Sequence, residues 1–211
     1  MKTAALFFVF TCLMLNLNAQ KNISGEYYLQ GVMETASGFK LNADSSFEFF
    51  FSYGALDRYG SGKWSINKDS IILNSKSSPG KDFKLAGSVV SNNKFSTIKI
   101  EEKNTDLYQM IYCLVKSPDQ DSIIRFDGTG TIVLPFAADS IIFLSELCSE
   151  RFSAFTLGKS PMIYTFNIQP WILEVFFNQT TFYFTDDYLE GKHPLLDDKI
   201  YRFEKEKASD H

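Results

Sequence analysis

FEFFFSYGALDRYGSGKW, residues 47–64, decides how this chain is read. Its first seven residues alternate: Phe47, Phe49, Phe51 and Tyr53 fall on one face of an extended strand, and Glu48, Phe50 and Ser52 on the other. The stretch GALDRYGSG that follows holds three glycines in nine residues, which suits a wide connection using backbone at positive φ, after which Trp64 re-enters the core. Asp57 and Arg58 sit inside that connection. In a loop the two charges can converge on one point; on a strand they face opposite ways.

Working outward, GFKLNADSSF reads as strand, turn, strand, with Asn42 to Ser46 supplying the turn. GKWSINKDSIILNS is a second hairpin around Asn67, Lys68 and Asp69. From Gly25 onward, aromatic and β-branched runs of five to eight residues recur between turn clusters, and no helical periodicity extends over ten residues. Residues 76–93 are polar and turn-rich. After Lys159 long aromatic strands return in MIYTFNIQ, WILEVFFNQ, TFYFTDD and KIYRFEKE. Five strands before the middle of the chain and three or four after it make the eight or nine that close a small barrel.

The spacing of GEYYL, KLNADSSFEF, GSGKW and SIIL, over residues 25–75, resembles the lipocalin-like meander of small exported bacterial proteins. In the middle of the chain, Asp127, Gly128 and Gly130 precede the strand Thr131 to Pro135. Ile141 to Leu144 and then Glu150, Arg151 and Phe152 follow. That order, over residues 94–158, resembles the transthyretin-like regulatory sandwich of carboxypeptidases, which implies a non-catalytic module for presentation or contact. The fold expected is therefore all-β: a small antiparallel, lipocalin-like barrel from residues 20–93 plus 159–206, interrupted by a β-sandwich at 94–158. A polar tail occupies residues 207–211.

Residues 1–19 have the layout of a secretory signal peptide: Lys2, an apolar run from Ala4 to Leu15, and Ala19 as the small residue before the cut. The run is too short to span a bilayer, and no later stretch approaches that length. The expected destination is outside the cytoplasm, in the periplasm or secreted. A net charge of −4 with no basic run leaves no electrostatic footprint for nucleic acid. Export permits a disulfide between Cys113 and Cys148, while each also reads as a small apolar core residue.

No nucleophile elbow, phosphate-cradling loop or His-Glu-x-x-His motif is present, and no metal or cofactor is called for. The candidate ligand-binding residues are Tyr53, Asp57, Arg58, Tyr59, Trp64 and Glu174. Arg58 and Asp57 would clamp a polar group at the barrel mouth, with Tyr53 and Tyr59 stacking on the ligand; alternatively, the two charges close their own loop. Glu174 lies in an apolar strand, as an acid orienting a ligand or as the partner of Arg202. His193 stands in a turn, between Gly191 and Pro194. Three functions remain open. The first is an exported binding barrel whose lumen, lined by Phe49, Phe51, Trp64 and Phe177, takes a small apolar or amphipathic ligand. The second is a protein- or glycan-interaction module of the envelope with a filled core. The third is a hydrolase using Glu174 with Asp57 or His193.

Overall fold

A computed structural model describes residues 23–207. The signal segment and the end of the tail lie outside the described residues. The fold is nearly all β. Strands β1 (Gly25–Leu29), β2 (Thr35–Leu41), β3 (Ser46–Tyr53), β4 (Leu56–Asn67) and β5 (Ser70–Asn74) open the chain. Eight more follow: β6 (Phe83–Val90), β7 (Thr97–Glu101), β8 (Ile111–Lys116), β9 (Asp121–Arg125), β10 (Thr131–Val133), β11 (Ser140–Ser145), β12 (Phe152–Thr156) and β13 (Met162–Ile168). β14 (Thr180–Phe184), β15 (Tyr188–Lys192) and β16 (Ile200–Lys205) complete it.

β1–β5 and β14–β16 close an eight-stranded antiparallel barrel in which every strand pairs with its neighbour in chain order, if the excursion between β5 and β14 is skipped. That excursion forms two four-stranded sheets, β10-β7-β13-β6 and β12-β11-β8-β9. The strands differ from the sequence expectation in four places. MIYTFNI, expected in the barrel, is β13, which pairs antiparallel with β6 and parallel with β7. Part of the polar stretch 76–93 is β6, so the sandwich begins near Phe83 and ends near Ile168. WILEVFFNQ is not a strand: the chain turns from Pro170 to Leu173 and makes a single bridge at Glu174. YLEGK, too short and too mixed to stand out in the sequence, supplies the barrel strand β15.

The opening segment has a different resolution from the one its glycines suggest. A two-residue turn at Gly54 and Ala55, with Gly54 at φ 58°, is the whole connection, and β4 starts at Leu56. Gly60 and Gly62 therefore lie within a strand, directly opposite Phe49 and Phe47. The missing side chain of Gly60 leaves room for residues 175–177, and that of Gly62 for the Asn74 carbonyl and the Phe47 ring. A Cβ on Gly60 would come within 2.7 Å of the Val175 carbonyl oxygen and 2.8 Å of the Phe177 ring. Beyond Lys63, where β4 separates from β5, the chain at 173–175 takes over as its neighbour: the Val175 N–H donates to the Tyr59 carbonyl at 2.7 Å.

Phe177 enters the barrel here and completes an aromatic core. The Phe39 ring lies 5.0 Å from Phe49 and Phe203, 5.1 Å from Phe182 and 5.8 Å from Phe177, centroid to centroid. All five are buried. An eight-stranded barrel is just wide enough for side chains to fill, and these rings fill its centre. A second core lies between the sandwich sheets around Phe143, whose ring is 4.6 Å from Phe83 and 4.9 Å from Phe166. Cys113 and Cys148 belong to that core as free thiols, each pushed up to about 12, chiefly by burial. No helix among the described residues is long and apolar enough to cross a membrane.

Candidate functional site

Because residues 56–67 form a strand, Asp57 and Arg58 part company, and the six candidate residues fall into three places. Trp64 faces inward at one end of the barrel, where its indole N–H donates to the Asn42 carbonyl at 3.1 Å and closes the Asn42–Ser46 turn. Arg58 faces inward at the other end and is 4% exposed. Tyr53 lies beside it at the end of β3, in a cleft shared with Leu56, Glu150 and Leu195. Asp57, Tyr59 and Glu174 are on the outside of the wall.

The inward end is an ionic junction between barrel and sandwich. Arg58 donates through Nη1 and Nη2 to the two Glu150 carboxylate oxygens, at 2.8 and 2.6 Å. Arg151, the next residue along, holds Asp82 in the same forked way at 3.0 and 2.9 Å. Both guanidinium groups also donate to the Glu174 carbonyl, and Arg151 reaches those of Trp171 and Ile172. Burial would raise the Glu150 carboxyl, but the hydrogen bonds and charge of Arg58 outweigh it and hold it below its usual value. Burial likewise works against the charge on Arg151, and Asp82 more than offsets it. The sequence offered Arg58 as a ligand clamp or as a charge closing its own loop; its partners are the sandwich and the backbone of the turn at 170–174. Glu150 and Arg151 were visible as a charged pair, but nothing local links them to residues 58 and 82.

The proposed Glu174–Arg202 pair does not form. Arg202 meets Glu190 at 3.7 Å and stacks over Tyr188. His193 is not in a surface turn; its ring lies inside the barrel, 4% exposed, among Phe49, Phe51, Tyr201 and Phe203. Its Nδ1 accepts from the Leu195 N–H, which puts the proton on Nε2 facing Ser37 Oγ at 3.0 Å; Ser37 in turn donates to the Phe50 carbonyl. With His193 inside the wall and the Glu174 side chain outside it, the hydrolase pairing of those two is not assembled.

The outer wall carries an ordered surface that the sequence reading only touched. Strand register aligns Tyr28 on β1, Gly38 on β2, Phe50 on β3 and Tyr59 on β4 in one row, and the bridge from Tyr59 extends it to Glu174. The Phe50 ring lies on Gly38, where a Cβ would stand 2.7 Å from it, and meets Tyr28 edge-on at 6.1 Å. Phe50 and Tyr59 are 40% and 50% exposed. The next row across is Glu26, Lys40, Glu48 and Ser61, and on the other side Ser52 faces Asp57. Glu26 takes a hydrogen bond from Tyr28 at 2.6 Å and a salt bridge from Lys40 at 3.1 Å. Among the described residues, the carboxylates of Glu48, Asp57 and Glu174 carry no hydrogen bond or salt bridge. The groove over Tyr28, Phe50 and Tyr59 has a volume of about 390 Å³, and Glu48 also lines an adjoining hollow that runs to Glu174 and Phe176. Phe50 was assigned to the outer face by alternation, but the row needed the strand register, which the sequence does not carry.

Among the described residues no three His, Cys, Asp or Glu side chains cluster to hold a metal ion. No family model matches the chain, and no curated protein matches it. A crystal structure of the Helicobacter pylori beta clamp bound to a DNA ligase peptide aligns at 10% identity over 90% of this chain and 60% of that one. At a TM-score of 0.14, that alignment identifies no shared fold.

Proposed function

We propose that this is an exported, non-catalytic binding protein of the cell envelope, in which a filled barrel presents its outer aromatic face to a glycan. The observation that carries the proposal is the row Tyr28–Gly38–Phe50–Tyr59–Glu174, flanked by Glu48 and Asp57, whose carboxylates carry no hydrogen bond or salt bridge among the described residues. Sugar rings offer apolar C–H faces that lie on aromatic rings, and hydroxyl groups that donate to carboxylates. A rigid sheet holds rings and acids at fixed spacing, so little ordering entropy is lost on binding. Export rests on the layout of residues 1–19, and the lipocalin-like character of the barrel on its up-and-down strand order. A ligand in the lumen is less well supported, because it would have to displace Phe39 and Phe177 from the packed centre.

The test is a titration of the protein with a panel of soluble oligosaccharides, followed by NMR of the aromatic side chains. Binding should shift Tyr28, Phe50 and Tyr59 together. Y59A should weaken it at least tenfold while the thermal midpoint stays within a few degrees, since the ring is half exposed. If no oligosaccharide shifts these residues, or if an added apolar ligand shifts Phe39 and Phe177 instead, the proposal fails.

A further inference from the structure

Phe50 and Tyr59 face each other across β3 and β4 on the outside of the barrel, and three carboxylates stand around that pair. Glu48 and Asp57 come two residues before Phe50 and Tyr59, on the same outward sides of their strands and about 7 Å along them. Glu174 is bridged to Tyr59 from the other side. The lysines nearby do not neutralise these acids. Lys40, which faces Glu48 across the sheet, is drawn to Glu26 at 3.1 Å, and Lys63 to Asp44 at 3.6 Å. Lys76, in the hollow that Glu48 shares with Glu174, is one positive charge against three negative ones. Half-exposed rings with a surplus of negative charge beside them suit a cation, because an ammonium group is attracted to a ring face as well as to a carboxylate.

We infer that the glycan this face takes carries free amino groups, whose ammonium charges settle among Glu48, Asp57 and Glu174 while its rings lie on Phe50 and Tyr59; the inference rests on the glycan reading above. A neutral sugar would leave the surplus charge unanswered, and an acidic one would be repelled by it. An acetylated amine offers one N–H and no charge, where an ammonium offers three donors and a full charge. A lysine-rich peptide has the same charge, but on a flexible stem that must be ordered on binding. In an amino sugar the charge is fixed directly to the ring that stacks.

Calorimetric titration of the protein would compare three tetrasaccharides of the same linkage, built from glucosamine, N-acetylglucosamine and glucose, with tetralysine as a cation that lacks sugar rings. In low salt at about pH 6, where carboxylates are ionised and amines protonated, the glucosamine tetramer should bind about tenfold more tightly than either neutral one. The advantage should shrink in high salt and vanish at alkaline pH, where the sugar amines lose their protons. Glu48→Gln, Asp57→Asn and Glu174→Gln keep the shape of each side chain and remove its charge. Together they should bring the ratio of charged to neutral affinity close to unity, with the thermal midpoint within a few degrees of wild type. Equal affinity for the charged and neutral tetramers, or a ratio that survives the triple substitution, overturns the inference and leaves the glycan reading standing. Tetralysine binding as tightly as the glucosamine tetramer also overturns it, since the face would then select charge alone. If no tetrasaccharide binds, the glycan reading fails and the inference falls with it.

Discussion

His193 continues the inward side of β15 into the barrel, where burial lowers its pKa from 6.5 to about 4. The fold therefore holds the neutral ring, while the unfolded chain takes up a proton near 6.5. The stability this group contributes is complete above pH 6.5 and is lost as the pH falls from 6.5 to about 4. Each pH unit in that window is about 1.4 kcal/mol, so the loss should be roughly 3 kcal/mol in urea unfolding. His193→Gln keeps an amide donor and acceptor near Ser37 and the Leu195 N–H, and should flatten the slope across that window. Arg58 makes a second test at the same scale. Arg58→Ala strips Glu150 of its forked partner, and should cost about 2–3 kcal/mol, less than the ~3–5 for a fully buried pair, because the Glu150 side chain is 34% exposed. Glu150→Ala in that background should cost little more, and a double-mutant cycle read by denaturant unfolding would show the coupling.

β4 shows what the sequence could and could not carry. Alternation in FEFFFSY placed Phe47, Phe49 and Phe51 inside correctly, because a period of two is a local property. The strand after it was taken for a loop because glycine weakens a strand and favours turns, yet Gly60 lets Val175 and Phe177 approach from more than 100 residues away, and Gly62 lets the Asn74 backbone and the Phe47 ring close in. Trp171 to Phe177 failed for the complementary reason: Ile172 and Leu173 pack into the sandwich core and Val175 and Phe177 into the barrel core, instead of alternating along one wall. Barrel closure was legible from the number of strands; which of them belonged to it depended on long-range pairing. The element's packing can be tested by Gly60→Ala, whose methyl group would press on the Val175 carbonyl and the Phe177 ring. It should cost roughly 1–3 kcal/mol in thermal or urea unfolding, the range for overpacking. Ser61→Ala, one residue along on the exposed face, should stay within about 0.5 kcal/mol of wild type.

Two stretches of chain, 75–82 and 169–179, carry the polypeptide from barrel to sandwich and back, and the paired arginines fasten one to the other. Arg58 belongs to the barrel, Glu150 and Arg151 to the sandwich, and Asp82 and the carbonyls at 171, 172 and 174 to the connections themselves. Each unit has its own buried core, so either could melt alone if nothing coupled them. The coupling should come from the junction, because opening it would strand the Asp82 side chain, 3% exposed, without its guanidinium. The intact protein should accordingly unfold in one calorimetric transition. Arg151→Leu combined with Asp82→Asn removes the fork without leaving a bare charge, and should split that transition into two. Fluorescence of Trp64 would follow the barrel, since that indole packs against its core. One transition that merely moves to lower temperature in the double variant would mean that the coupling runs through the packed segment at 173–177, with the ion pairs only fixing how the two units are set against each other.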